Sequence, residues 1–238
     1  MIKFSYNINK DAENWVNTVK DIKPLWGIDY EAETVMVPQG LKNEILKVNR
    51  EKAIKLVKDY FRNQPRFNYK KRVITSEIKA IEKIWKSREE KLFKTLEKIT
   101  KRPIFSPYLK VYFTTMFICP YDEKDYKWFM LSMWHSIPFQ ITIICHEVFH
   151  FQFLNYYLNF CKKQGLNQNQ IENLKESLTV LLNTEKFDNI ILCQDSGYPE
   201  HQNLRRKIFN TWQKDKSSYL KDKEGFEVFL KEIIKEIK

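Results

Sequence analysis

Along most of this chain, apolar residues recur at helical spacing. Residues 41–63, LKNEILKVNREKAIKLVKDYFRN, set Ile45, Val48, Ile54, Leu56 and Val57 among charged positions. That is the pattern of an amphipathic helix, which Pro65 in NQPRFNY would end. A longer helix is predicted from about Thr75 to Lys98, where Ile78, Ile81, Trp85, Leu92, Leu96 and Ile99 make a stripe opposite a charged face. Pro103 and Pro107 close it. The stretch DAENWVNTVKDI reads as a short helix with Asp11 near its start. Further helices are predicted from Ser136 or Pro138 to about Phe160, over about 168–184, near 201–213 and over 225–237. Gly165 with NQNQ, and later DSGYPEHQ, supply the loops.

Three short segments read differently. MIKFSYNI alternates loosely and suggests a first strand. YLKVYFTTMFI and KWFMLSMW are rich in β-branched and aromatic residues, as strands are. The connection CPYDEKDY is polar and carries a proline, as a turn does, so the two later strands are expected to pair antiparallel. Their apolar positions are nearly continuous, so they should be covered on both faces or bounded by a cleft. The fold class expected is α+β and mostly helical. A helical N-terminal portion takes residues 1–74. A unit over 75–213 holds a small antiparallel sheet packed against the helix that ends near 160, and a C-terminal helix takes 214–238.

Composition narrows this picture. The chain has 238 residues with 43% hydrophobic and 15% aromatic content, enough for a core without staples. Five glycines are too few for an all-β fold with its many tight turns. The net charge is +11, which would suit nucleic acid or an acidic partner. The lysines are interleaved with glutamates, however, and no basic run exceeds three residues, as in Lys70-Lys71-Arg72, a pattern typical of solvated helix faces. Cys119, Cys145, Cys161 and Cys193 form no CxxC pair and read as buried thiols in a reducing compartment. The first residues show no apolar leader pattern. With no span of about 18 uninterrupted apolar residues, a soluble, cytoplasmic chain without a membrane span is expected.

The chemistry concentrates in ITIICHEVFHFQF, residues 141–153. His146 and His150, two of only four histidines, stand four apart in an otherwise apolar helix. That spacing aims both imidazoles to one side, where they can hold one ion. Glu147 lies about 100° further round, placed to reach a water on that ion. In such an HExxH site two neutral nitrogens bind Zn²⁺, the ion lowers the pKa of its water, and the carboxylate takes the proton.

A catalytic zinc takes a third protein ligand. The extended motif with a third histidine is excluded, because Phe153 and Tyr156 stand where its glycine and histidine would be. A glutamate from the following helix remains, either Glu172 or Glu176 in QIENLKESLTVLLN. Glu176 is favoured. It lies deeper in the helix and shares a face with Thr179, Val180 and Asn183, whereas Glu172 sits in the first turn, where a carboxylate complements the helix dipole.

HEVFH on a helix after two strands, followed by Glu176, resembles the gluzincin group of zinc metallopeptidases over roughly residues 108–205. The resemblance implies one Zn²⁺ per chain held by His146, His150 and Glu176, with Glu147 as general base in cleaving a peptide or protein substrate. It also implies a sheet strand that holds substrate beside the metal, here Lys127 to Trp134. It further implies a His or Tyr beyond the glutamate helix that steadies the oxyanion, here His201 or Tyr198, with Arg205 nearby. The chain departs from the group after Glu176, where Thr179 and Val180 occupy the stretch in which an acidic residue commonly steadies a motif histidine. The rival reading is a basic helical protein that binds nucleic acid or an acidic partner and carries a structural or vestigial metal.

Overall fold

The computed structural model describes residues 1–21, 30–106 and 108–238; Pro107, expected to help end a helix, lies outside the described residues. The element order is β1 (Ile2–Tyr6), α1 (Ile8–Asp21), α2 (Tyr30–Thr34), α3 (Gln39–Lys47), α4 (Arg50–Asn63), α5 (Pro65–Trp85), α6 (Glu89–Thr100), β2 (Leu109–Thr114), β3 (Trp128–Ser132), α7 (Ile137–Lys163), α8 (Gln168–Leu178), α9 (Gln202–Lys221) and α10 (Gly225–Ile237). Two 3₁₀ turns, Thr179–Asn183 and Pro199–His201, lie between α8 and α9. The mostly helical α+β class therefore holds. The chain divides into two compact units, Met1–Trp85 with Tyr108–Gln140, and Lys86–Pro107 with Ile141–Lys238.

In the first unit the sheet has the order β1-β2-β3, and both pairings are parallel. The antiparallel sheet expected from the sequence is thus corrected. Residues 115–127 number about a dozen, the length a parallel crossover needs. The polar turn in CPYDEKDY does reverse the chain, but one segment later than expected. Asp122 Oδ1 accepts from the amides of Lys124 and Asp125, and Tyr126 adopts a positive φ of 53°. This folds residues 120–122 antiparallel onto β3, with the Met130 amide donating to Pro120 at 2.9 Å and the Asp122 amide to Trp128 at 2.8 Å. The outer edge of β3 over 128–130 is therefore paired within the chain, which removes those groups from the substrate-holding role expected of Lys127 to Trp134.

Around the sheet, α1, α3 and α4 bury Ala12, Trp15, Val16, Ile45, Val57 and Phe61. A buried polar knot ties α1 to β2. Asp11 accepts from the Thr115 amide and from the hydroxyls of Tyr6, Thr114 and Thr115, at 2.7–3.0 Å. Those threonine oxygens in turn accept from Asn14 Nδ2 and Trp15 Nε1.

Two helix boundaries differ from the sequence reading for local reasons. The helix expected over 41–63 breaks at Asn49, whose side chain accepts from the Lys52 amide and caps α4. Pro65 opens α5 rather than only ending α4, because the first helical position needs no N–H. The long helix expected from Thr75 to Lys98 is α5 followed by α6, parted at 86–88, where the chain leaves the first unit for the second.

The second unit is built on α7, most of whose residues from Ile141 to Leu154 are buried. Its polar residues outside the motif have backbone partners. Thr142 donates to the Cys193 carbonyl at 2.7 Å. Gln152 Nε2 reaches the carbonyls of Arg102 and Pro103, and its Oε1 accepts from the Phe105 amide. Gly165, with φ of 84°, ends the helix. The Gly165 amide bonds to Lys162 and the Leu166 amide to Cys161, the paired reverse bonds of a Schellman turn. Asn167 and Gln170 then form a capping box that starts α8. The helices α9 and α10 close the unit around Trp212, Tyr219, Phe226 and Phe229. Cys145 and Cys161 are buried, and Cys119 and Cys193 are partly so. Among the described residues no helix is long and apolar enough to cross a membrane.

Candidate metal centre

All the residues of this centre belong to the second unit. One turn of α7 brings the rings of His146 and His150 to 4.1 Å between centroids. The Schellman turn and capping box between α7 and α8 fix where α8 begins, and its buried face turns Glu176 toward those rings. Glu176 Oε2 lies 3.4 Å from His146 Nε2 and 3.6 Å from His150 Nε2. The three ligand atoms lie within 4.8 Å of one another. A tetrahedral ion bonded at about 2.0–2.1 Å separates its ligands by about 3.3–3.4 Å. Glu176 Oε2 thus stands at ligand–ligand distance from both imidazoles, and of the two glutamates Glu176 is the one that reaches them.

The hydrogen-bond ledger gives an independent test of fit. His150 is 2% exposed, yet neither ring nitrogen has a hydrogen-bond partner, and neither does Glu147 Oε2. The nearest carboxylate oxygen to His150 Nδ1 is Glu147 Oε2 at 3.7 Å, too far for a hydrogen bond. Leaving a buried polar atom unpaired costs about 1–3 kcal/mol, so the arrangement is coherent with an ion in place. The donor set of two imidazoles and one carboxylate suits zinc and several other divalent metals.

The layer behind the ligands is more elaborate than the sequence suggested. His146 Nδ1 lies 2.8 Å from Asp195 Oδ1, so that its Nδ1–H donates there and Nε2 faces Glu176. Asp195 thereby steadies the motif histidine from outside α8, where no acidic residue was foreseen. Arg205, buried on α9, reaches Asp195 Oδ2 at 2.9 Å and donates to Thr179 Oγ1 at 2.8 Å and to the Glu176 carbonyl at 3.3 Å. Thr179 Oγ1 is 2.7 Å from both Asp195 Oδ2 and the Glu176 carbonyl, and its single proton serves one of them. Asn183 grips the Asp195 backbone in both directions. Gly197, with φ of 62°, lets the loop approach this brace, since a Cβ there would meet the Arg205 guanidinium at 2.7 Å.

Electrostatics follow from the geometry. Burial disfavours a charged His146, but Asp195 and Glu176 outweigh it and raise its pKa to about 10. Burial dominates at His150 and lowers its pKa. Burial would raise the Glu176 and Asp195 carboxyls, yet the two imidazoles and Lys175 hold Glu176 well below the carboxylate range, and His146 with Arg205 lowers Asp195.

The remaining expected residues fall as follows. Glu147 sits beside His150 with its side chain 10% exposed, and His146 retains 16%. Glu172 contacts Lys175 at 2.8 Å. His201 is buried with Nε2 3.2 Å from Asn173 Oδ1, one turn before Glu176 on α8, and Tyr198 packs edge-on against its ring at 5.8 Å. Arg205, near those two in the sequence, braces Asp195. His135 belongs to the first unit and meets the Phe139 ring edge-on. Lys175 and Asp195 were missed. Asp195 stood in the DSGYPEHQ loop already singled out, but only the fold shows which histidine it meets.

Compared with protein-family models, curated proteins and solved structures, the chain matches none.

Proposed function

We propose that this chain is a metal-dependent hydrolase, most simply a zinc metallopeptidase that cleaves peptide bonds in a peptide or protein. The observation that carries the reading is the convergence of His146 Nε2, His150 Nε2 and Glu176 Oε2, with neither ring nitrogen of the buried His150 hydrogen-bonded. A divalent ion bound there supplies Lewis acidity, polarising a substrate carbonyl and easing ionisation of water.

Within that frame the chain's own groups have distinct tasks. Glu147 Oε2, buried and without a hydrogen bond, accepts the proton of the attacking water and returns it to the leaving amine. Asp195 holds His146 in the tautomer that leaves Nε2 unprotonated. Arg205, Thr179 and Asn183 keep Asp195 from turning away. His201, or Tyr198 packed against it, offers a donor to the developing oxyanion.

The test is Glu147→Gln. It should keep the wild-type metal content while hydrolysis of a peptide library falls by roughly 10²–10⁴-fold. Full turnover in that variant would remove Glu147 from the chemistry. A wild-type chain purified without metal but binding DNA or RNA in a salt-dependent way would favour the rival binding reading.

A further inference from the structure

Lys175 has no role in the reading above, yet it is 2% exposed. Lysine is almost never fully buried unless paired, so its partners are informative. On one side Nζ meets Glu172 Oε2 at 2.8 Å; on the other it meets Glu176 Oε1 at 3.1 Å. Glu172 keeps its side chain 26% exposed, and a lysine serving it alone could reach outward. Here the ammonium instead lies against the carboxylate that faces the histidines.

The two oxygens of Glu176 therefore have separate employment. Oε2 faces His146 Nε2 and His150 Nε2, and Oε1 is held by Lys175. From this division we infer that Lys175 is a positioning residue that keeps Glu176 a one-oxygen metal ligand. The ion pair with Oε1 at 3.1 Å opposes the rotation that would bring both oxygens onto the ion. A catalytic centre with three protein ligands works through its open position, and a chelating carboxylate would occupy it. The inference rests on the metal reading, and its test separates the two.

The experiment loads the full chain with cobalt(II) and reads visible absorption per bound ion, which is strong for four-coordinate cobalt and weak at higher coordination. Lys175→Met should bind cobalt but lose much of that absorption, with turnover falling about 10–100-fold and KM little changed. Glu172→Gln, which leaves the Lys175–Glu176 contact in place, should keep the wild-type spectrum. Should Lys175→Met fail to fold, Lys175→Gln is read in its place with the same expected loss. A wild-type spectrum and wild-type turnover in the folded Lys175 variant overturn the inference while leaving the metal centre standing. A wild-type chain that takes up no cobalt overturns the metal reading and the inference with it.

Discussion

Two buried polar clusters, one in each unit, invite comparison. Around Asp11 every group has a counterpart: four donors converge on the two carboxylate oxygens, and the threonine hydroxyls that donate also accept. Around His150 the groups are as deeply buried, but both ring nitrogens and Glu147 Oε2 lack hydrogen-bond partners. The first cluster is complete as protein. The second has the distances and donor types of a site that is complete only with something added. Burial of polar groups alone would not separate the two; the balance of donors and acceptors does.

Breaking the first cluster should have the largest effect on folding. Asp11→Ala strands several buried donors and should lower stability by about 3 kcal/mol, read as a fall in the denaturation midpoint, with metal content per folded chain unchanged. Loss of metal in that variant would mean that the clusters are not independent. Weakening the layer behind the second cluster should do the converse. Asp195→Asn should lower metal affinity by about 10–100-fold, measured by competition with a chromophoric chelator, and wild-type affinity would deny Asp195 its part.

The smallest expected effect is a slope with pH. In the metal-free chain the raised His146 pKa of about 10 lies above its ordinary 6.5. The stability this pairing provides is therefore full below about 6.5 and lost as pH rises through about 10. A metal needs the same nitrogen without its proton, so metal affinity should run the other way, rising up to about tenfold per pH unit between about 7 and 10. Calorimetric titration in two buffers of different ionisation enthalpy would detect the released proton, and a pH-independent affinity would contradict the assignment.

What was legible in the sequence was what is local. His146, Glu147 and His150 lie within a single turn and a quarter of α7, so spacing alone brings them together. Glu176 followed from the same logic on the buried face of α8. Asp195 and Arg205 were beyond reach as a pair, because the contact between them depends on a loop with Gly197 at positive φ and on where α9 docks. Lys175 read as one more solvated lysine among many, and only burial distinguishes it. In the first unit, β1, β2 and β3 were each visible as strands, but their pairing was not. Ile2 meets Leu109 across a hundred residues, and the local turn at 122–127 pointed to a hairpin whose partner proved to be 120–122. The cap at Asn49 and the opening of α5 at Pro65 carried available signals that the longer apolar pattern outweighed.

The proposed chemistry requires that His146, His150 and Glu176 hold one divalent ion. Metal content by elemental mass spectrometry, on the purified full chain beside His150→Ala, tests it most directly. Close to one zinc or equivalent ion is expected per wild-type chain, with loss of that ion in the variant. A wild-type chain that remains metal-free after incubation with zinc, or a folded His150→Ala chain that retains full occupancy, would contradict it.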